Sequence, residues 1–483
     1  MAWRTRPFAL VVLPFSLLSA CSDDGGESTT LSTTLPTTMT TMPATSSGSS
    51  STTDEPSTST TEAQTTEPPT TGPEPTGSTT EPACEPGAEG CACLPLATCM
   101  PGLTCDNDVC VGAGSTSTTD DPGETTMAPM AVCGDGVPAP GEVCFKPAAT
   151  LGMGSGPVAV AAADFNKDGN PDIACANQQS GNMTLRTGKG DGSFNALVAL
   201  ATGLGPYAVA TPDLNNDNAP DLVSANINAN NMSVYLNNGA GMMIGQMPVA
   251  TGGQPRYIAA SNLNGDDYDD LVVVNYMANT LTVLLGDGIG FPNPGNVAVG
   301  LGPTWVAVAD MNGDDALDLV SANYGASNIS VSLGNGLGNF GPPTNSPVGG
   351  QLYAIEVADL NGDAKADAVV TVPAAGQIFV LQGNGLGGFG GAIPYPCGAD
   401  PIGMVLLDVS GDGELDVVVA NRASATVSVL RGNGKGGFAM PEPFMVGMMP
   451  YTIAAADFNK DGVLDLVTAN NADSTVSVLI ADP

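Results

Sequence analysis

From residue 145 onward the apolar residues fall into short runs set at regular intervals between polar turns. An apolar run such as Val158 to Ala163 enters a polar loop, a second such as Asp172 to Ala176 leaves it, and an alternating run such as Val427 to Leu430 follows a further polar turn. Runs of this length, rich in Val and bounded by Gly, Asn and Asp, predict β-strands. A glycine turn, fullest at Gly432 to Phe438, then leads to a fourth and more polar run. Each unit therefore predicts four antiparallel strands.

The loop between the first two runs sets the period. It begins at 164, 213, 262, 310, 359, 408 and 457, with spacings of 49, 49, 48, 49, 49 and 49 residues. A constant period in this range is one supersecondary unit copied in series and behaves as one cooperative array. Two further positions keep the register. Proline stands seven residues before the loop at Pro157, Pro206, Pro255, Pro303, Pro401 and Pro450, with Leu352 as the exception, and an aromatic stands about nineteen before it at Phe194, Phe291, Phe340 and Phe389, with Met243 as the substitute. The predicted fold is all-β: a seven-bladed propeller of four-stranded blades over residues 145–483. The seventh copy shows three strands and no fourth before Pro483, while Phe145 stands 19 residues ahead of Asp164. Residues 145–151 are therefore expected to supply the missing strand against Thr475 to Ile480, removing an open edge.

The loops themselves are rich in oxygen ligands. Asp164, Asn166, Asp168 and Asp172 occupy positions 1, 3, 5 and 9 of the first, with Gly169 at position 6. Alternate side chains of a tight turn can point inward, and a hard cation takes six to eight oxygens, so calcium is the expected ion. The corresponding residues are Asp213, Asn215, Asp217 and Asp221; Asn262, Asn264, Asp266 and Asp270; Asp310, Asn312, Asp314 and Asp318; Asp359, Asn361, Asp363 and Asp367; Asp408, Ser410, Asp412 and Asp416; and Asp457, Asn459, Asp461 and Asp465. Up to seven calcium ions are expected, held best in the first, sixth and seventh loops. The third, opening on Asn262 in place of Asp, is expected to bind most weakly. Asn218 and Asp315 replace the position-6 glycine at a tolerable cost, whereas Ala364 costs about 1 kcal/mol if the turn is left-handed there. Metal-free Asx-turn loops are the alternative.

Charge changes this picture less than its size suggests. The net charge is -37, but of the 31 acidic residues from position 145 onward, 23 are Asp within the seven loops. With 12 Lys and Arg and no basic stripe, nucleic acid is not an expected partner. The chain has no histidine, which excludes Ser-His-Asp, Cys-His and histidine-zinc sites built from this polypeptide alone.

Phe-Gly, then Gly-x-Pro, then Asp-x-Asn-x-Asp-Gly-x-x-Asp together resemble the FG-GAP/VCBS repeat family, as in the propeller of integrin alpha subunits, over about residues 145–483. The resemblance implies calcium in the hairpin loop between the first and second strands of each blade. A recognition or adhesion role, with an extracellular protein or polysaccharide as partner, is expected on separate grounds: the N-terminal anchor and stalk read below and the absence of a catalytic constellation.

The N-terminal third reads differently. Arg4 and Arg6 precede an apolar run from Phe8 to Leu18, the pattern of an export signal over residues 1–20. Leu18-Ser19-Ala20-Cys21 looks like a bacterial lipobox, which implies acylation of Cys21 and an outer-membrane or cell-surface lipoprotein. Residues 21–83, dominated after Cys21 by Thr, Ser and Pro, predict a disordered stalk reaching on the order of 200 Å when extended. Cys84, Cys91, Cys93, Cys99, Cys105 and Cys110 predict a disulfide module over 84–110, with the pairing left open and a metal cluster as the alternative. A linker over 111–132 leads to a segment over 133–144 resembling short Cys-rich inserts of myxobacterial surface proteins, in which Cys133 is expected to pair with Cys144.

Within the propeller, Cys175 and Cys397 read as buried small residues. Lys189-Gly190-Asp191 reads as part of a glycine turn. Trp305, Tyr207, Tyr257 and Tyr451 either line a sugar site or pack in the core and rim. Beyond the loop aspartates, the remaining acids are Glu356, Glu414, Glu442, Asp191, Asp287, Asp400, Asp473 and Asp482, with no evident pairing. The expected function is non-enzymatic recognition by a monomer. A lectin-like glycan binder and a carboxylate-based polysaccharide hydrolase or lyase are the rivals.

Overall fold

A computed structural model describes residues 103–106, 109–112, 141 and 143–482. The export signal, Cys21, the stalk, Cys84, Cys91, Cys93, Cys99 and Cys133 lie outside them. The first two segments form a hairpin, Leu103–Asp106 against Val109–Gly112, in which Cys105 and Cys110 stand opposite each other in register. Among the described residues no helix is long and apolar enough to cross a membrane.

From Ala149 to Leu479 the chain forms seven four-stranded antiparallel sheets in ring order. In the first blade Pro157–Ala163 is the inner strand, followed outward by Asp172–Asn177, Asn182–Arg186 and Val198–Ala201. The seventh blade consists of Pro450–Ala456, Asp465–Asn470, Thr475–Leu479 and, as its outer strand, Ala149–Gly152. Closure is thus as expected, with Ala149 opposite Val478 and Gly152 opposite Thr475. The strand begins four residues later than the sequence suggests, and a lone bridge from Phe145 to Ala481 covers the gap.

Burial explains the pattern of runs. The second strands are buried along their whole length in all seven blades because both faces pack on neighbouring blades. They therefore read as continuous apolar runs. The core lies between blades: Val160, Ile173 and Cys175 of the first pack on Val467, Val476 and Val478 of the seventh. Cys175 and Cys397 are buried free thiols, as expected. Outer strands are largely exposed, and several carry an exposed proline, such as Pro347, Pro394 and Pro443. Proline offers no N–H to a further strand and so blunts the edge.

Each register proline opens an inner strand. Where Leu352 replaces it, the inner strand shrinks to Ile355–Ala358. That fifth blade also loses a second device. In the other six blades an asparagine ends the second strand (Asn177, Asn226, Asn275, Asn323, Asn421 and Asn470) and donates through Nδ2 to a Ser or Thr of the third. A glycine passes so close to each that an added Cβ would lie 2.4–2.7 Å from the amide group, as Gly398 does at Asn421 and Gly154 at Asn177. Val372 occupies the asparagine position in the fifth blade.

Candidate functional site

Five of the seven loops share one full hydrogen-bonding scheme, and the sixth keeps it except at position 3, where Ser410 replaces Asn. In the first, Asp164 Oδ1 accepts from Asp168 N–H at 3.1 Å and Oδ2 from Gly169 N–H at 2.7 Å. Asn166 Oδ1 accepts from Asp168 N–H at 3.0 Å, and Asp168 Oδ1 from Asn170 N–H at 2.8 Å. The turn needs two left-handed residues, at position 4 in every copy (Lys167, Asn216, Gly265, Gly313, Gly362, Gly411, Lys460) and at position 6 in six of them. The position-4 requirement is not evident from the glycine pattern, because Lys and Asn occupy it in three copies. Ala364 adopts φ 63°, so its strain is present.

The third loop departs from this scheme for a chemical reason. Asn262 has one carbonyl oxygen where aspartate has two carboxylate oxygens. Its Oδ1 accepts from Gly265 N–H at 2.8 Å, and its Nδ2 donates to the Asp266 carbonyl. With no second acceptor to draw in the position-6 N–H, Asp267 is not left-handed.

Position 9 plays a part that oxygen counting does not foresee. Asp172 is fully buried, Oδ2 accepting from Phe165 N–H at 3.0 Å and Oδ1 from Gly188 N–H at 2.8 Å. The same pair of bonds recurs at Asp221, Asp270, Asp318, Asp367, Asp416 and Asp465. This carboxylate ties the loop to the glycine turn, while the residue at position 2, from Phe165 to Phe458, plugs the core. Burial above all, with a smaller push from the nearby Asp164 and Asp168 charges and against the bonds from Gly188 and Phe165, raises the Asp172 carboxyl to about 7. Among the described residues no three Asp, Glu, Cys or His side chains stand in metal-holding geometry. The loop oxygens instead accept backbone N–H groups. Their chemistry, carboxylate with amide or hydroxyl oxygen, nonetheless suits a hard cation.

A second site lies at the other end of the inner strands, about 20 Å from the loops. The residue after each register position is Val158, Tyr207, Arg256, Thr304, Tyr353, Ile402 or Tyr451, and all seven line the central channel around a cavity of about 100 Å³. Tyr207 and Tyr353, three blades apart, meet hydroxyl to hydroxyl at 2.7 Å and so span it. Tyr257 stacks on Trp305 with ring centroids 3.7 Å apart. The Arg256 guanidinium lies over the Tyr276 ring at 3.6 Å and 5.9 Å from that of Tyr207. Arg422 donates to Tyr451 Oη at 3.1 Å and to Asp400 Oδ2 at 2.6 Å. Glu356, also on the channel wall, is pushed up to about 8 by burial, the Trp305 indole acting in the opposite sense.

Of the residues weighed from sequence for a sugar site, Tyr207, Tyr257, Trp305 and Tyr451 are thus brought together. Arg256, Tyr353, Tyr276 and Arg422 were missed. Aligning the residue after each register position, Leu352 included, would have found the first two. Glu356 is the sole acid lining the cavity; Asp400 stands at its rim, paired with Arg422. Asp191 lies in its glycine turn, where Ser193 hydrogen bonds hold its carboxyl below the usual range. Cys144 is not among the free thiols.

An FG-GAP-like repeat model matches residues 164–224, 213–273, 262–321, 310–370 and 408–468, and these stretches contain all seven loops. No curated protein sequence is significantly similar to the chain. Among solved structures, BBS1N in complex with ARL6DN superposes with a TM-score of 0.52 at 14% identity, covering 70% of this chain and 97% of that one. A Lactobacillus plantarum protein gives 0.50 at 14%, covering 62% and 88%. Virginiamycin B lyase from Staphylococcus aureus gives 0.49 at 11%, covering 70% and 99%. At these identities the likeness is one of fold.

Proposed function

The chain belongs to the FG-GAP-like repeat family, and from that premise we propose that it is a calcium-stabilised, non-enzymatic recognition propeller displayed on a cell surface. The observation that supports this most is the division of labour between the two ends of the inner strands. Repeated acidic loops occupy one, and an aromatic and guanidinium-lined mouth the other. Display would follow from the Arg4 to Cys21 segment acting as a lipoprotein signal and residues 22–83 acting as a tether. The partner would be an extracellular protein or a polysaccharide.

Positions 1, 3 and 5 of each loop would hold the ion, with position 9 supplying charge from beneath. A bound cation would neutralise carboxylates that otherwise repel one another. Because the sites exist only in the folded chain, millimolar calcium should raise the melting temperature and excess chelator should lower it. Asp461→Ala should remove one ion from the calorimetric stoichiometry, while Asp266→Ala in the third loop should change it less. Identical melting with calcium and with chelator, or equal effects of the two substitutions, would refute the metal reading. The recognition reading is tested by presenting the calcium-loaded protein to cell-surface polysaccharide and protein; retention of neither removes it.

A further inference from the structure

We propose that the channel mouth is a binding site for a carboxylate-bearing sugar, a hexuronate unit of an acidic polysaccharide, held by Arg256 and laid against the surrounding aromatic rings. This deepens the recognition reading above and rests on it. The argument starts from an unspent donor. Arg256 Nε is buried without a hydrogen-bond partner among the described residues, whereas the Trp305 indole on the same wall faces the Glu356 carboxyl. A buried donor left unpaired costs about 1–3 kcal/mol, which an incoming acceptor recovers.

The charge balance points the same way. Among the described residues the ion pairs are those of Lys146, Lys365, Arg422 and Arg431; the Arg422–Asp400 pair stands at this mouth and is internally neutral, and none of the four involves Arg256. In a chain with 49 acidic residues and 12 basic ones, an unneutralised guanidinium inside the ring is unlike its surroundings. Arg presents a planar fork matched to a carboxylate. The rings already lie under guanidinium groups, Arg256 over Tyr276 and Arg422 over Tyr451, which leaves the mouth suited to an anion in place of a cation. Glu356 does not cancel Arg256: burial and Trp305 are what act on its carboxyl.

The aromatic wall and the hydroxyls select a sugar over an acidic peptide. The rings of Tyr207, Tyr353 and Tyr451 line the cavity beside the mutually stacked Tyr257 and Trp305, and the paired Tyr207 and Tyr353 hydroxyls can each donate or accept. At about 10–15 Å³ per water, the 100 Å³ cavity holds several waters, room for the acidic edge of one sugar unit and not for a polymer.

The test is calorimetric titration of the calcium-loaded full chain with trigalacturonate, a hyaluronan tetrasaccharide, galactotriose and tri-aspartate. At least one uronate probe should bind saturably with one site per chain. Galactotriose and tri-aspartate should bind at least tenfold more weakly. Arg256→Met, which keeps the apolar stem, should lower uronate affinity at least tenfold, and Arg256→Lys should give an intermediate loss, each with an unchanged circular dichroism spectrum. The proposal is overturned if neither uronate binds, if galactotriose or tri-aspartate binds as tightly, or if folded Arg256→Lys binds as well as the parent. Should parent and Arg256→Met protein retain the same surface polysaccharide, this assignment fails while the recognition reading stands.

Discussion

Glu356 shows how position in the ring sets the chemistry of a residue. An ordinary glutamate ionises near 4.5; inside the channel it holds its proton until about 8. The unfolded chain therefore releases the proton first, and the folded state binds more protons through the window between those values. The contribution to stability is fully present below about 4.5, falls as pH rises, and is lost above about 8. Glu356→Gln should remove this slope: between pH 5 and 8.5 the melting temperature of the variant should fall less than that of the parent. Comparing the two cancels the titration of the loop aspartates, which both proteins share. Parallel pH profiles would show that Glu356 is hydrated in the channel. Ala364 is the opposite case, a residue whose cost was readable from sequence because aligned copies place glycine at its position.

At the scale of the strand and turn, much was legible because short elements are built from local rules. The loops, the strand runs and the glycine turns announced themselves through spacing and residue type. What could not be read was which groups meet between elements. Asp172 looked like a fourth ion ligand because its spacing fits; its bonds to Phe165 and Gly188 depend on the third strand bringing the glycine turn back beneath the loop. In five copies the residue bonded there is a glycine, and in the second and seventh, where the local backbone differs, it is Asn237 and Ala481. At Gly432 an added Cβ would lie 2.1 Å from the Leu415 carbonyl oxygen, which is backbone and has little freedom to yield. Gly432→Ala should destabilise the propeller by about 1–3 kcal/mol, measured by denaturant unfolding. The equivalent change at Gly462, where an added Cβ meets nothing within 4 Å but φ is 89°, should cost about 1 kcal/mol.

For the whole molecule, the count of seven and the closing strand followed from the repeat, since a missing fourth strand at one end and an extra aromatic register mark at the other fit a single ring. The channel site was less legible because it takes one side chain from each blade, and residues some 49 positions apart share no local signature. Closure rests on more than four paired residues: Phe145 packs edge-on against Phe444 at 5.0 Å, Val143 is buried, and Arg431 Nη1 donates to the Gly141 carbonyl at 2.6 Å. Deleting residues 145–151 should therefore lower the melting temperature far more than deleting residues 22–83, a difference read by calorimetry on the two shortened chains. Equal losses would mean that the seam contributes nothing.

That seam also sets a timetable for synthesis. Ala149–Gly152 leaves the ribosome first among the propeller strands, yet its partner Thr475–Leu479 emerges more than 300 residues later. At about 5–20 residues per second the delay is roughly 15–65 s. Throughout that interval six blades can form in order while the opening strand has no sheet to join. The unfinished ring also presents a growing end whose newest blade lacks a neighbour on one side. The nascent chain is thus most open to pairing with another copy of itself in the seconds before its own two ends meet.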